Sequence, residues 1–175
     1  MTVTEDKEKV SPERQFINEV WERIEGDRGA IATLSRCLNR QSYYQRQAAQ
    51  YVYPYLPDEI RKYQSVVDRY VFVAALMASN HQQDPKEAEQ GMSFGGVCRL
   101  LKQKLGDNSG GLDRRFQVLL NADGEEVYRY IEMLAPLLRQ YQVPCDWAKL
   151  LEDLNWWDYE NESVRLRWAR DFYRE

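Results

Sequence analysis

Apolar residues recur three and four positions apart along nearly all of this 175-residue chain, and they nowhere alternate long enough to make a strand. That period places them on one side of a helix, so the chain is expected to be all-α. Ser11-Pro12-Glu13 supplies a capping hydroxyl and a proline at the first helical position. Phe16, Ile17, Val20, Trp21 and Ile24 then form a stripe that Gly26 ends. A second helix is predicted from Asp27, with Ala30, Ile31, Leu34 and Leu38 on one side. The stretch 51–57 reads as an aromatic loop, and Ile60, Tyr63, Val67, Tyr70, Val71, Ala74 and Met77 mark a longer, mostly buried helix.

Residues 81–92 are polar and read as an exposed connector between two helical halves, 13–80 and 93–175, behind a flexible tail, 1–12. In the second half Phe94, Val97, Leu101 and Leu105 mark a helix, and the glycine-rich stretch 106–111 reads as a mobile loop. A short helix is expected from Asp113, another capped by Asp123, a third capped by Asp146, and a last one carrying Val164, Trp168 and Phe172. The expected architecture is a helical bundle of two small subdomains packed together. Trp156 and Trp157 stand out because neighbouring positions on a helix cannot both face one core.

The longest apolar run, Tyr70 to Ala78, has nine residues, against about 20 for a membrane span. Residues 1–15 lack the apolar core of a secretory signal, and the three cysteines are odd in number and scattered. A cytoplasmic protein with buried, reduced thiols is predicted. His81 is the single histidine, and no phosphate-cradling glycine motif or metal-ligand spacing is present. The carboxylates sit at helix starts and on the tail, where capping and solubility account for them. No enzyme, cofactor or metal is expected.

The net charge of −4 argues at first against a nucleic-acid binder. Its distribution argues otherwise. Residues 28–57 carry four arginines and no acid, and residues 93–115 have a net charge of +3. At about 100° per residue, Arg28, Arg36 and Arg40 fall opposite Ala30, Leu34 and Leu38 on one continuous helix. Arg99 and Lys102 fall opposite Phe94, Val97 and Leu101, and Arg114 and Arg115 follow the glycine loop. Charge runs are usually solvated helix faces. Arginine without compensating acids instead suits phosphate, whose oxygens its planar fork matches. Arg36, Arg40, Arg99, Lys102, Arg114 and Arg115 are therefore the candidate nucleic-acid contacts.

Several segments carry a family likeness: Gly26-Asp27-Arg28-Gly29-Ala30 leading into Leu34-Ser35-Arg36, Ser93-Phe94-Gly95, Leu112-Asp113-Arg114-Arg115-Phe116, Leu119-Leu120-Asn121-Ala122-Asp123, Val143-Pro144-Cys145-Asp146-Trp147, Leu154-Asn155-Trp156-Trp157-Asp158, and Arg167-Trp168-Ala169-Arg170-Asp171-Phe172. Each is weak alone, but in this order they make the chain from about residue 13 resemble the CasB family, the small subunit of the type I-E CRISPR surveillance complex Cascade.

The resemblance implies a non-catalytic helical subunit in antiviral defence, two copies of which lie along the guide-RNA-bound backbone. Its implied partners are the other Cascade subunits (backbone and large subunit), the guide RNA, and target DNA including the displaced strand, with the R-loop held open. Arg36, Arg114 and Arg115 fall where the family carries basic residues. Ser35 stands where the family often has a second arginine, and Gly96 where it has an arginine after Ser-Leu-Gly, so Arg40, Arg99 and Lys102 are candidates to compensate. A protein-only scaffold, whose arginines meet acidic partner surfaces, is the alternative reading.

Overall fold

The computed structural model describes residues 9–159 and 162–174, which form nine α-helices joined by short 3-10 turns, with no strand among them. Helix α1 (Pro12–Ile24) begins as its sequence dictates: the Ser11 hydroxyl accepts from the Arg14 amide at 3.2 Å, and Phe16, Ile17, Val20, Trp21 and Ile24 are buried. Gly26 ends the turn at φ 74°, a conformation a side chain would strain. The Asp27 carboxylate caps α2 (Arg28–Ser35) through the Ala30 amide.

Here the chain departs from expectation. The second helix does not run on through Leu38 to Arg40. It stops at Ser35, whose hydroxyl bonds back to the Ile31 carbonyl at 2.7 Å, tightens into a 3-10 turn over Arg36–Leu38, and restarts as α3 (Ser42–Val52). A serine bonding back along the ladder weakens the helix there. Helix α3 buries only Ala48 and Val52, too few apolar residues to show a period in the sequence. The expected aromatic loop is the end of α3 and a further 3-10 turn over Tyr53–Tyr55.

Helix α4 (Gln64–Ser79) is the centre of the fold: every residue from Tyr70 to Ala78 is buried, which accounts for the long apolar run. It packs against α1, α2, α3 and α8 (Trp147–Leu154). Ile60 and Tyr63 precede it, Ile60 in a 3-10 turn and Tyr63 more than half exposed. The polar connector is tied down, since the Gly91 amide donates to Asp146 at 2.8 Å. Asp146 also caps α8 through the Lys149 amide and pairs with Arg14 on α1. Among the described residues, the buried apolar side chains of both halves form one continuous cluster.

In the second half α5 (Phe94–Leu105) lies against α9 (Ser163–Phe172). The expected glycine loop holds a 3-10 turn, and α6 (Gly110–Leu120) already begins inside it. Asp123 does not cap α7 (Glu126–Gln140) with its side chain: the carboxylate is exposed and pairs with Arg165 at 2.7 Å. Trp157 is the inward member of the tryptophan pair, 2% exposed and donating its indole N–H to the Ala122 carbonyl at 2.9 Å. Trp156 faces out.

Cys37, Cys98 and Cys145 are buried and unbridged. Burial pushes the Cys37 thiol from 9.0 up to about 11, and it raises Cys98 and Cys145 further, Cys145 with help from the Asp146 carboxylate. Folding thus holds protons on thiols that the unfolded chain would release. Stability is therefore highest below pH 9 and falls as pH rises above it, the Cys37 share being lost by about pH 11 and that of Cys98 and Cys145 at higher pH. A disulfide reagent at pH 8 is expected to label the native protein at least about a hundredfold more slowly than the urea-unfolded chain. Equal rates would mean the thiols are reached without unfolding.

Candidate nucleic-acid interface

The six cations expected to meet nucleic acid fall into different environments. Arg36 opens the 3-10 turn after α2 and is exposed, with no acid paired to it among the described residues. Arg40 does not share a helix face with it, because the turn intervenes. Its guanidinium lies 5.5 Å from the Phe72 ring centre and 5.6 Å from that of Tyr128, and 3.8 Å from the Glu132 carboxylate. That charge is held on a local surface rather than offered freely.

Arg40 forms one wall of a groove of about 680 Å³, whose lining includes Gln45, Gln64, Asp68, Arg69 and Tyr128. Asp68 accepts from the side-chain amides of Gln45 and Gln64 at 3.0 and 2.7 Å. Arg69 donates to the Tyr128 hydroxyl and to the Asn155 side-chain oxygen, both at 2.9 Å, linking α4 to the second half of the chain. Sequence reasoning missed Arg69. The only available signal was its place directly before the apolar run from Tyr70, where a cation needs a partner.

On α5, Arg99 is half-buried, and its Nε has no hydrogen-bond partner among the described residues. Lys102 donates to Asp113 at 2.8 Å and sits 5.4 Å from the Phe172 ring centre. This bond brings α5 to the start of α6, and there Arg114 and Arg115 project, both exposed and with no acid paired to either among the described residues. The uncompensated cations of the candidate set are thus Arg36 on one half and the pair Arg114 and Arg115 on the other.

Sites for other chemistry are sparse. His81 is exposed, with Nδ1 3.0 Å from the Ala78 carbonyl oxygen. Among the described residues no group of three or more His, Cys, Asp or Glu is placed to hold a metal ion. No helix among them is long and apolar enough to cross a membrane.

The sequence profile described as CRISPR-associated protein Cse2 matches residues 30–173, the greater part of the chain. The chain belongs to the Cse2 family. The match begins inside α2, so it leaves out α1 but takes in the rest of both halves and all six cations. A Cse2 protein of Thermus thermophilus is 27% identical over 173 residues, covering 94% of this chain and 91% of that protein. The crystal structure of a Cse2-family protein from the same organism superposes with a TM-score of 0.74 at 27% identity, covering 94% of this chain and 99% of that one.

CasB from M. ruber superposes with a TM-score of 0.74 at 25% identity, covering 95% and 94% of the two chains. The resemblance drawn from the sequence motifs therefore holds for the family and for the all-helical fold. A chain of a CRISPR RNA-guided surveillance complex shares that fold, with a TM-score of 0.70 at 24% identity over 93% of this chain and 91% of that one.

Proposed function

We propose that this chain is a non-catalytic small subunit of a type I-E Cascade complex, which holds nucleic acid against exposed arginines and so stabilises the R-loop. The observation that carries the reading is the state of Arg36, Arg114 and Arg115: exposed, uncompensated, and set on a chain whose family is Cse2. A protein serving every guide must ignore sequence, which phosphate contacts permit and base-edge contacts do not. R-loop formation nearly balances the duplex lost against the heteroduplex gained, so a few such contacts suffice to tip it.

The partners in this reading are the backbone and large subunits, the guide RNA, and target DNA with its displaced strand. Two copies of the chain sit side by side in the cytoplasmic complex. Arg40, Arg99 and Lys102 contribute by shaping the surface beside the free arginines, their own charges being tied or half-buried.

The test is R-loop formation by the assembled complex carrying Arg36→Ala, Arg114→Ala and Arg115→Ala together. These side chains are exposed, so the fold should survive. Capture of a single strand should weaken, and the log–log slope of affinity against salt should flatten by about 2, roughly 0.7 for each phosphate that is no longer neutralised. Wild-type R-loops from the triple variant would sink the reading. The alternative of a protein-only scaffold predicts cross-links from Arg36 and Arg115 to protein alone.

A further inference from the structure

We infer that the exposed pair Trp156 and Tyr159 is a docking knob for a protein surface that carries an apolar pocket rimmed by lysine or arginine. The inference rests on the proposed place of this chain in a multisubunit complex. Trp156 is 53% exposed and Tyr159 58%, and their rings meet edge to face with centres 5.1 Å apart. An exposed tryptophan buttressed by a second aromatic is the kind of side chain that dominates protein interfaces, because it buries a large area with few torsions to freeze.

The knob is held in place before any partner arrives. Trp157 next to it is locked in the core by the Ala122 carbonyl and by the Trp168 ring, whose centre is 4.8 Å away. Asn155 on the other side accepts from Arg69 on α4 and donates to Glu13 on α1, both at 2.9 Å. The Tyr159 amide closes the turn onto the Trp156 carbonyl at 3.2 Å. With both flanks pinned, Trp156 has no inward alternative, and little ordering cost remains to be met on binding.

The surrounding charge selects the partner. Asp158 accepts from the Gly124 amide at 3.3 Å, which sets the turn at 122–125 beside the knob. Asp123, Glu125, Glu126, Asp158 and Glu162 are exposed. Against these five carboxylates stand Arg129, one turn along α7, and Arg165, which is already paired with Asp123 and Asp158. Arg40 and Arg69 line the adjoining groove with Glu125 and Asp158, but they are engaged, Arg40 by Glu132 and Arg69 by Tyr128 and Asn155. Aromatic side chains can also stack on bases, but a phosphodiester strand would meet the excess of exposed carboxylates in these segments at a cost. A protein rim of lysine or arginine is attracted by it.

The experiment titrates fluorescently labelled chain into a reconstituted RNA-guided complex lacking this subunit. Wild type should dock with an affinity that falls with salt. Trp156→Ala should dock about 30-fold more weakly with an unchanged circular dichroism spectrum, Trp156→Phe should recover most of the loss, and Glu125→Lys should weaken docking as well. The triple arginine variant should dock normally while capturing strand more weakly.

Wild-type docking by Trp156→Ala would overturn the inference. So would unimpaired docking with lost strand capture, which would make the pair a base-stacking platform. A change confined to self-association of the free chain, read by light scattering, would assign the knob to a second copy and overturn it too. If wild type itself fails to dock, the proposed membership of the complex falls, and the inference with it.

Discussion

Gly95→Ala is expected to lower the thermal unfolding midpoint by about 10 °C. A Cβ built on Gly95 would lie 2.2 Å from the Trp168 carbonyl oxygen, 2.7 Å from its Cα and 2.8 Å from its carbonyl carbon. These are backbone atoms of α9, so no rotamer change can clear them, and α5 and α9 must part. Separation would also loosen the packing of Phe94 on Trp168, whose ring centres are 5.4 Å apart. Overpacking of this kind costs roughly 3 kcal/mol, which outweighs the roughly 0.5–1 kcal/mol that alanine gains over glycine in a helix. For a chain of this length that is about 10 °C. Gly96→Ala is the internal control: its Cβ would meet Met92 Cγ at 2.8 Å, at the flexible part of a side chain that can swing away. Melting curves that agree within about 2 °C for the two variants would show that the helices can separate freely.

The contrast between Gly95 and Gly96 shows what periodicity can and cannot deliver. The stripes of α1, α5, α8 and α9 were legible because each buries a full face and, in α1, α5 and α8, starts at a side chain that caps it. Helix α3 was not, since a helix that buries two residues has no period to read. The end of α2 was misjudged because leucine spacing continues past Ser35 while the backbone does not.

The same division holds at the candidate site. Arg36 is exposed as expected, although on a 3-10 turn and not on the continuous helix face the spacing implied, and Arg114 and Arg115 are exposed near the helix start that follows the glycine stretch. The capture of Arg40 by Glu132, Phe72 and Tyr128, and of Lys102 by Asp113, depends on other helices arriving at the right place. Likewise, adjacency said that one of Trp156 and Trp157 must face out, but only the Ala122 carbonyl decides which.

Asp153→Ala is expected to cost about 3 kcal/mol and to reach the basic pair on α6 without touching it. The Asp153 carboxylate is 2% exposed and joins α8 to α9: it accepts the Trp168 indole N–H at 2.8 Å, the Lys149 ammonium at 3.2 Å, and the Arg167 guanidinium. Lys149 and Arg167 keep side-chain exposure of 22% and 33%, so water can take over much of their solvation. Trp168 is fully buried and cannot be rescued that way, so its orphaned N–H carries most of the loss. Asp153→Asn keeps an oxygen for the indole and should cost about half as much. Urea unfolding would measure both. In a double-mutant cycle, Arg167→Ala should be milder on the Asp153→Ala background than on wild type, because the guanidinium has then already lost its acid. Helix α9 in turn supports α6, where Phe116 stacks on Phe172 with ring centres 3.9 Å apart. Loosening α9 should therefore speed amide exchange around Arg114 and Arg115, whereas the Trp156→Ala variant should leave that exchange unchanged. If Asp153→Ala unfolds at the wild-type urea concentration, the indole must find another acceptor, and α6 would not depend on this carboxylate.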